Sequence, residues 1–159
     1  MNIIWIWDEL EWDPYTLLGE IVLKDNFGNI ICDNCTCIDD WVLPLLKGLD
    51  ALNNKKEITI ELISEADLLK FHIDNNIKKL SYGNKFIIIE DSEKWMNEIK
   101  SLSQTILKDI RKYPIVSKSI ENLLEYVISS YEENNKDIVW HHHDGIYSYA
   151  ILINKSMKN

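Results

Sequence analysis

All three cysteines of this 159-residue chain fall in one short run, Cys32-Asp33-Asn34-Cys35-Thr36-Cys37. Three of its four histidines, His141, His142 and His143, stand together far downstream. Thiolates and imidazoles are the usual ligands of zinc, and a thiol beside an imidazole can also act as a nucleophile. Cys32 and Cys35 with part of the histidine run would make a mixed metal site or a small thiol-dependent enzyme. Spacing argues against both. On an extended strand side chains alternate between faces, so Cys35 and Cys37 share one face and Cys32 points to the other. Adjacent histidines diverge in the same way, leaving at most His141, His143 and Asp144 to converge. A redox Cys-x-x-Cys normally opens a helix, whose dipole lowers a thiol pKa, whereas this one reads as part of a strand. His72 has no evident partner. No glycine-rich phosphate loop, Gly-x-Ser-x-Gly elbow or His-Glu-x-x-His motif is present, and Arg111 is the sole arginine. The sequence therefore predicts no catalytic residue, no metal and no cofactor.

What remains is surface chemistry. The stretch Trp7-Asp8-Glu9-Leu10-Glu11-Trp12-Asp13-Pro14-Tyr15 interleaves aromatic rings with carboxylates. Tryptophan and tyrosine bury large area for little entropy loss and are enriched at binding hot spots. Carboxylates beside them steer a basic partner and pair with its lysines and arginines. Trp7, Asp8, Glu9, Glu11, Trp12, Asp13 and Tyr15 are the candidate partner-binding residues. Asp39 and Asp40 either extend that surface or cap the helix that follows them.

Charge points the same way. The net charge is −9. Residues 1–46 hold nine acids (Asp8, Glu9, Glu11, Asp13, Glu20, Asp25, Asp33, Asp39 and Asp40) against Lys24 alone, while the remaining acids and bases nearly balance. Like charge so concentrated is costly unless it serves solubility or meets a cationic partner. It excludes nucleic acid as the expected partner, because phosphate binding needs a basic face.

The positioning elements follow from local patterns. Length fits a single domain over 1–159, and 46% apolar with 27% charged residues describes an ordinary globular chain. No apolar run reaches the roughly 18 residues of a membrane helix. An opening without a basic segment and an odd cysteine count predict a cytoplasmic protein with reduced thiols. Ile3, Trp5 and Trp7 alternate with Ile4 and Ile6 as a strand. Strands over about 17–24 and 29–37 flank the turn cluster Asp25–Gly28. Trp41, Leu45, Leu49 and Leu52 stripe a helix, with Pro44 near its first turn and Lys55 and Lys56 past its end. Short strands over 57–63, 68–73, 77–82 and 85–90 form a meander. A helix from Ser92 to about Lys112 carries Trp95, Ile99, Leu102 and Ile106. A second helix after Pro114 and a last strand through Tyr147, Tyr149 and Ile151 complete the reading. The expected fold is α+β, an antiparallel sheet with amphipathic helices packed on one face.

The pattern GEIVLKDNFGNI…IDDWVLPLLKGL, a hairpin leading into a tryptophan-led helix, in a small acidic chain without catalytic motifs, resembles the immunity proteins of bacterial toxin–immunity systems, including those of contact-dependent growth inhibition. The likeness spans about residues 16–110. It implies a protein that binds a cognate basic toxin, often a nuclease, and blocks its active site or substrate groove. It assigns no residue-level site. A third reading is a structural subunit that associates with its own copies through its strands.

Overall fold

The computed structural model describes residues 1–7, 18–63 and 65–109, together with positions 119, 122, 123, 125 and 126. Strands β1 (Ile3–Trp7), β2 (Leu18–Lys24) and β3 (Ile30–Cys37) form one antiparallel sheet, in that order. Helix α1 (Ile38–Asn53) follows directly. Strands β4 (Ile58–Glu61), β5 (Leu68–Asp74), β6 (Ile77–Tyr82) and β7 (Lys85–Ile88) form a second antiparallel sheet, again in chain order. Helix α2 (Ser92–Asp109) comes next. The fold is α+β, as the sequence predicts; the meander forms one sheet and β1–β3 form a separate one. Beyond position 114 the five described positions are all helical, where the second helix is expected. The last strand and His141–His143 lie outside the described residues.

Turn chemistry sets the registers. Gly28 has φ of +89°, and Asp25 ties that turn through its side chain. Asn75 and Asn76 both adopt positive φ, 50° and 66°, which is the requirement of a type I′ hairpin turn. Gly83, at 59°, begins the next two-residue turn. Alternation then sends Leu69 and Phe71 of β5, Leu80 of β6 and Ile87 of β7 into the core, with Lys70, His72, Lys79 and Ser81 on the opposite face. In the first sheet Ile3, Ile21, Leu23 and Ile31 point inward, whereas Ile4 and Ile6 are 41% and 62% exposed.

Both inner sheet faces share one hydrophobic core with the helices. Helix α1 contributes Ile38, Trp41, Val42, Leu45, Leu49 and Leu52, and α2 contributes Trp95, Ile99, Leu102 and Ile106. The helices pack against each other, α1 also against β2, β4 and β5, and α2 against β1. Gly48 marks the closest approach, because the ring of Phe71 occupies the space its Cβ would take. Among the described residues no helix is long and apolar enough to cross a membrane.

Three local expectations are corrected. Helix α1 begins at Ile38 with Cys37 as N-cap and no side-chain capping bond, so neither Asp39 nor Asp40 caps it. Both sit in its first turn, where carboxylates favour the positive helix end. Pro44 stands one turn further in than expected and offers no N–H to the carbonyl of Asp40. Finally, β3 carries a bulge. Gly19 pairs with Thr36 but Ile21 with Asp33, so Asn34 and Cys35 together oppose Glu20. The extra residue reverses the alternation, and Cys32 opposite Val22 shares a face with Cys37 opposite Leu18.

Candidate functional site

The predicted aromatic–acidic segment begins where β1 ends. Trp7 pairs through its backbone with Gly19 of β2, which pairs with Thr36 of β3. Asp8, Glu9, Glu11, Trp12, Asp13 and Tyr15, and the indole of Trp7, lie outside what the structure describes. Asp39 and Asp40 are described, and they leave the surface. They are 2% and 8% exposed, and Asp40 accepts a hydrogen bond from the hydroxyl of Ser119. With Leu43, Lys47, Ile60 and Glu61 they wall a cavity of about 160 Å³ beside the start of α1. Carboxylates so enclosed offer little area to a macromolecular partner, and we withdraw both from the docking set.

The structure brings other acids together at the same end of the molecule. Thr36, in the same cross-strand row as Trp7 and Gly19, donates its hydroxyl to Glu65 at 2.6 Å and accepts the indole N–H of Trp41 at 2.9 Å. With strands spaced about 4.8 Å apart, this pair stands about 10 Å from the backbone of Trp7. Glu65 and Asp67 come from the connection between β4 and β5, and Asp33 from β3. The charges of all three act on the phenol of Tyr82 at the end of β6, and Asp33 also hydrogen-bonds with it. The ring of Tyr82 meets that of Trp41 edge-on, with centroids 5.0 Å apart and planes at 62°. Close by, Asp67 lies against Gly83, where a Cβ would stand 3.2 Å from its Oδ2.

The electrostatics of this cluster are recorded in one group. Burial raises the Tyr82 pKa, and the charges of Glu65, Asp33 and Asp67 with a hydrogen bond to Asp33 raise it further, to about 12. A phenol held neutral so far up the pH scale is a hydrogen-bond donor at neutral pH, and neither a general base nor a nucleophile. The rim around it is negative and only partly covered: Asp33 and Glu65 are half-buried and Asp67 is exposed. Such a rim attracts ammonium and guanidinium groups.

Glu65, Asp67 and Tyr82 were not singled out by the sequence reading. The available signal was the acid pair Glu65 and Asp67 between two alternating runs. Charge density along the chain does not reveal it, because these residues lie outside the acidic first 46. The thiols take no part in the cluster. The three cysteines form no disulfide, and Cys32 lies 3.9 Å from the Glu20 carboxylate and 3.0 Å from the Asn34 side-chain oxygen. Among the described residues no group of three or more His, Cys, Asp or Glu side chains is placed to hold a metal. His72, read as lacking a partner, hydrogen-bonds through Nε2 with the Ser81 hydroxyl at 2.9 Å.

Comparison with protein-family models, with curated proteins and with solved structures gives no match.

Proposed function

We propose that this chain is an inhibitor of the immunity-protein kind, acting in the cytoplasm, that captures a basic protein toxin of the nuclease class. One observation carries the reading: the charges of Asp33, Glu65 and Asp67 act together on Tyr82, a negative field beside two aromatic rings. Thr36, which donates its hydroxyl to Glu65, stands in register with the end of β1, from which the segment bearing Asp8, Glu9, Glu11 and Asp13 departs. Carboxylates on such a surface would stand where a nuclease expects substrate phosphates, and Trp7, Trp12 and Tyr15 would exclude water around them. The protein's own catalysis is not required by this reading.

The test is co-expression with a nuclease-type toxin domain from the gene's own neighbourhood, if one is encoded there, or otherwise with toxin domains captured from the native host. Association kinetics between the purified pair follow. The reading expects growth to be rescued and the association rate to fall steeply with added salt. Reversing charge at Asp8, Glu9, Glu11 and Asp13, or at Asp33, Glu65 and Asp67, should slow association and flatten the salt dependence. A chain that neither rescues growth nor binds at low ionic strength would end the proposal.

A further inference from the structure

The outer face of the second sheet carries a different chemistry from the acidic rim. Strand register places Lys70 of β5 directly opposite Ser81 of β6, with Thr59 of β4 on its other side. In the next outward-facing row His72 stands opposite Lys79. Three of these groups are already fixed. The His72 Nε2 and Ser81 hydroxyl bond diagonally across the strands at 2.9 Å. Lys79 bonds Asp74 at 2.9 Å and lies 5.6 Å from the centroid of the Phe86 ring. Lys70 is exposed and forms no ion pair among the described residues.

We infer that Lys70, His72, Ser81 and Lys79 form an anion site for a phosphate group, free or as the end of a small phosphate monoester. When His72 donates from Nε2 to Ser81, the hydroxyl proton turns outward, and the imidazole then acts as a positioning residue. Lys70 and Ser81 are direct cross-strand neighbours, with Cβ atoms about 5 Å apart. A single tetrahedral anion can therefore bridge the hydroxyl and the ammonium on its long stem. Lys79, shared with Asp74, supplies a second positive charge from the adjoining row. Phe86, 44% exposed and paired directly with Ser81, offers an apolar shelf beside the anion. The site is independent of the acidic rim, and either can fail without the other.

Amide NMR shifts are followed while inorganic phosphate replaces chloride at constant ionic strength, then with adenosine 5′-monophosphate. The expected result is saturable shifts at Lys70, His72 and Ser81 that chloride does not produce. Lys70→Glu, at an exposed position, should weaken phosphate binding about tenfold or more, and Ser81→Ala should weaken it less, by loss of one charge-assisted bond. Tighter binding of the nucleotide assigns the site to a monoester with a ring on Phe86, and equal binding assigns it to the free anion. Identical responses to chloride and phosphate, or phosphate binding unchanged in a folded Lys70→Glu variant, would overturn the inference.

Discussion

The Asp25 carboxylate accepts the backbone N–H of Ile88 at 2.9 Å, joining the β2–β3 turn to β7 across 63 positions of sequence. It also takes the backbone N–H groups of Phe27 and Asn29 at 2.8 and 2.9 Å, and the Asn29 amide at 2.7 Å. β3 and β7 are the facing edges of the two sheets, which remain separate ladders. A side chain thus does at this seam what a backbone carbonyl would do in a continuous sheet. Asp25→Ala leaves three backbone N–H groups without their acceptor, and it should cost about 3 kcal/mol. A lower urea midpoint with an unchanged slope is the expected measurement.

The same carboxylate gives the fold a pH dependence of definite sign. Burial pushes its pKa up, but hydrogen bonds from the Asn29 side chain and from the backbone of Ile88, Asn29 and Phe27 together outweigh it, leaving the value below 3.8. The folded state therefore binds this proton less readily than the unfolded one. Its contribution is complete above the unfolded value and is lost as pH falls through the lower folded value. In Asp25→Asn the acid limb of the stability profile should be shallower below pH 3.8 than in the parent. Parallel acid limbs would remove Asp25 as a source of that dependence.

Gly48 and Phe71 set the distance between α1 and β5. A methyl group at Gly48 would overlap the ring of Phe71, which is 1% exposed and has nowhere to retreat. Alanine is favoured over glycine in a helix by about 1 kcal/mol, yet overpacking a tight core costs about 1–3 kcal/mol. Gly48→Ala should therefore destabilise the protein, and Gly48→Ala with Phe71→Leu should recover part of the loss. Thermal melts of the single and double variants decide the matter.

Helix α1 ends in a Schellman arrangement built without glycine. Lys56 N–H bonds the Ala51 carbonyl at 2.8 Å and Lys55 N–H bonds that of Leu52 at 3.1 Å, while Lys55 itself adopts φ of 57°. An L side chain pays about 1–2 kcal/mol in that region, part of which glycine returns through its freer unfolded state. Lys55→Gly should raise stability by about 0.5–1 kcal/mol, read as a higher denaturation midpoint.

These particulars show which parts of the molecule were legible in advance. The hairpin turns at Gly28, Asn75-Asn76 and Gly83 were, because each depends on the φ preferences of its own residues. The core stripes of α1 and α2 were legible for the same local reason, a 3.6-residue period. The bulge at Asn34 and Cys35 was not, since no glycine marks it and only the pairing with β2 defines it. Asp39 and Asp40 looked like caps or surface acids because the strand runs into the helix without a side-chain cap, a junction that composition does not announce. The cluster around Tyr82 was illegible because three separate segments assemble it, while a charge count along the chain sees only neighbours in sequence.

Tyr82 offers a spectroscopic reading of that cluster. Of the seven tyrosines in the sequence, Tyr82 is held to about 12 by burial first and then by Glu65, Asp33 and Asp67. Absorbance titration at alkaline pH should show a late transition that loses one tyrosine's amplitude in Tyr82→Phe. Glu65→Gln and Asp33→Asn should each move it to lower pH. A raised phenol pKa also means that the stability it contributes is present below the unfolded value and is lost as pH rises through the folded one. No late transition in the folded protein would remove the negative field on which the proposed capture surface depends.

Thiol reactivity tests the outer face of β3. Burial raises the Cys32 pKa above 9.0, and the Glu20 carboxylate at 3.9 Å raises it further, while the charge of Lys85 pulls the other way. Cys35 lies exposed on the bulge. Since the thiolate is the reacting species, iodoacetamide at pH 8 should label Cys35 well before Cys32. Glu20→Gln removes a negative charge from beside Cys32 and should speed its labelling without changing that of Cys35. Peptide mass mapping over a time course distinguishes the sites. If Cys32 labels as fast as Cys35, neither the bulge nor the contact with Glu20 controls the chemistry of this strand, and the thiol readings set aside on geometry would have to be reopened.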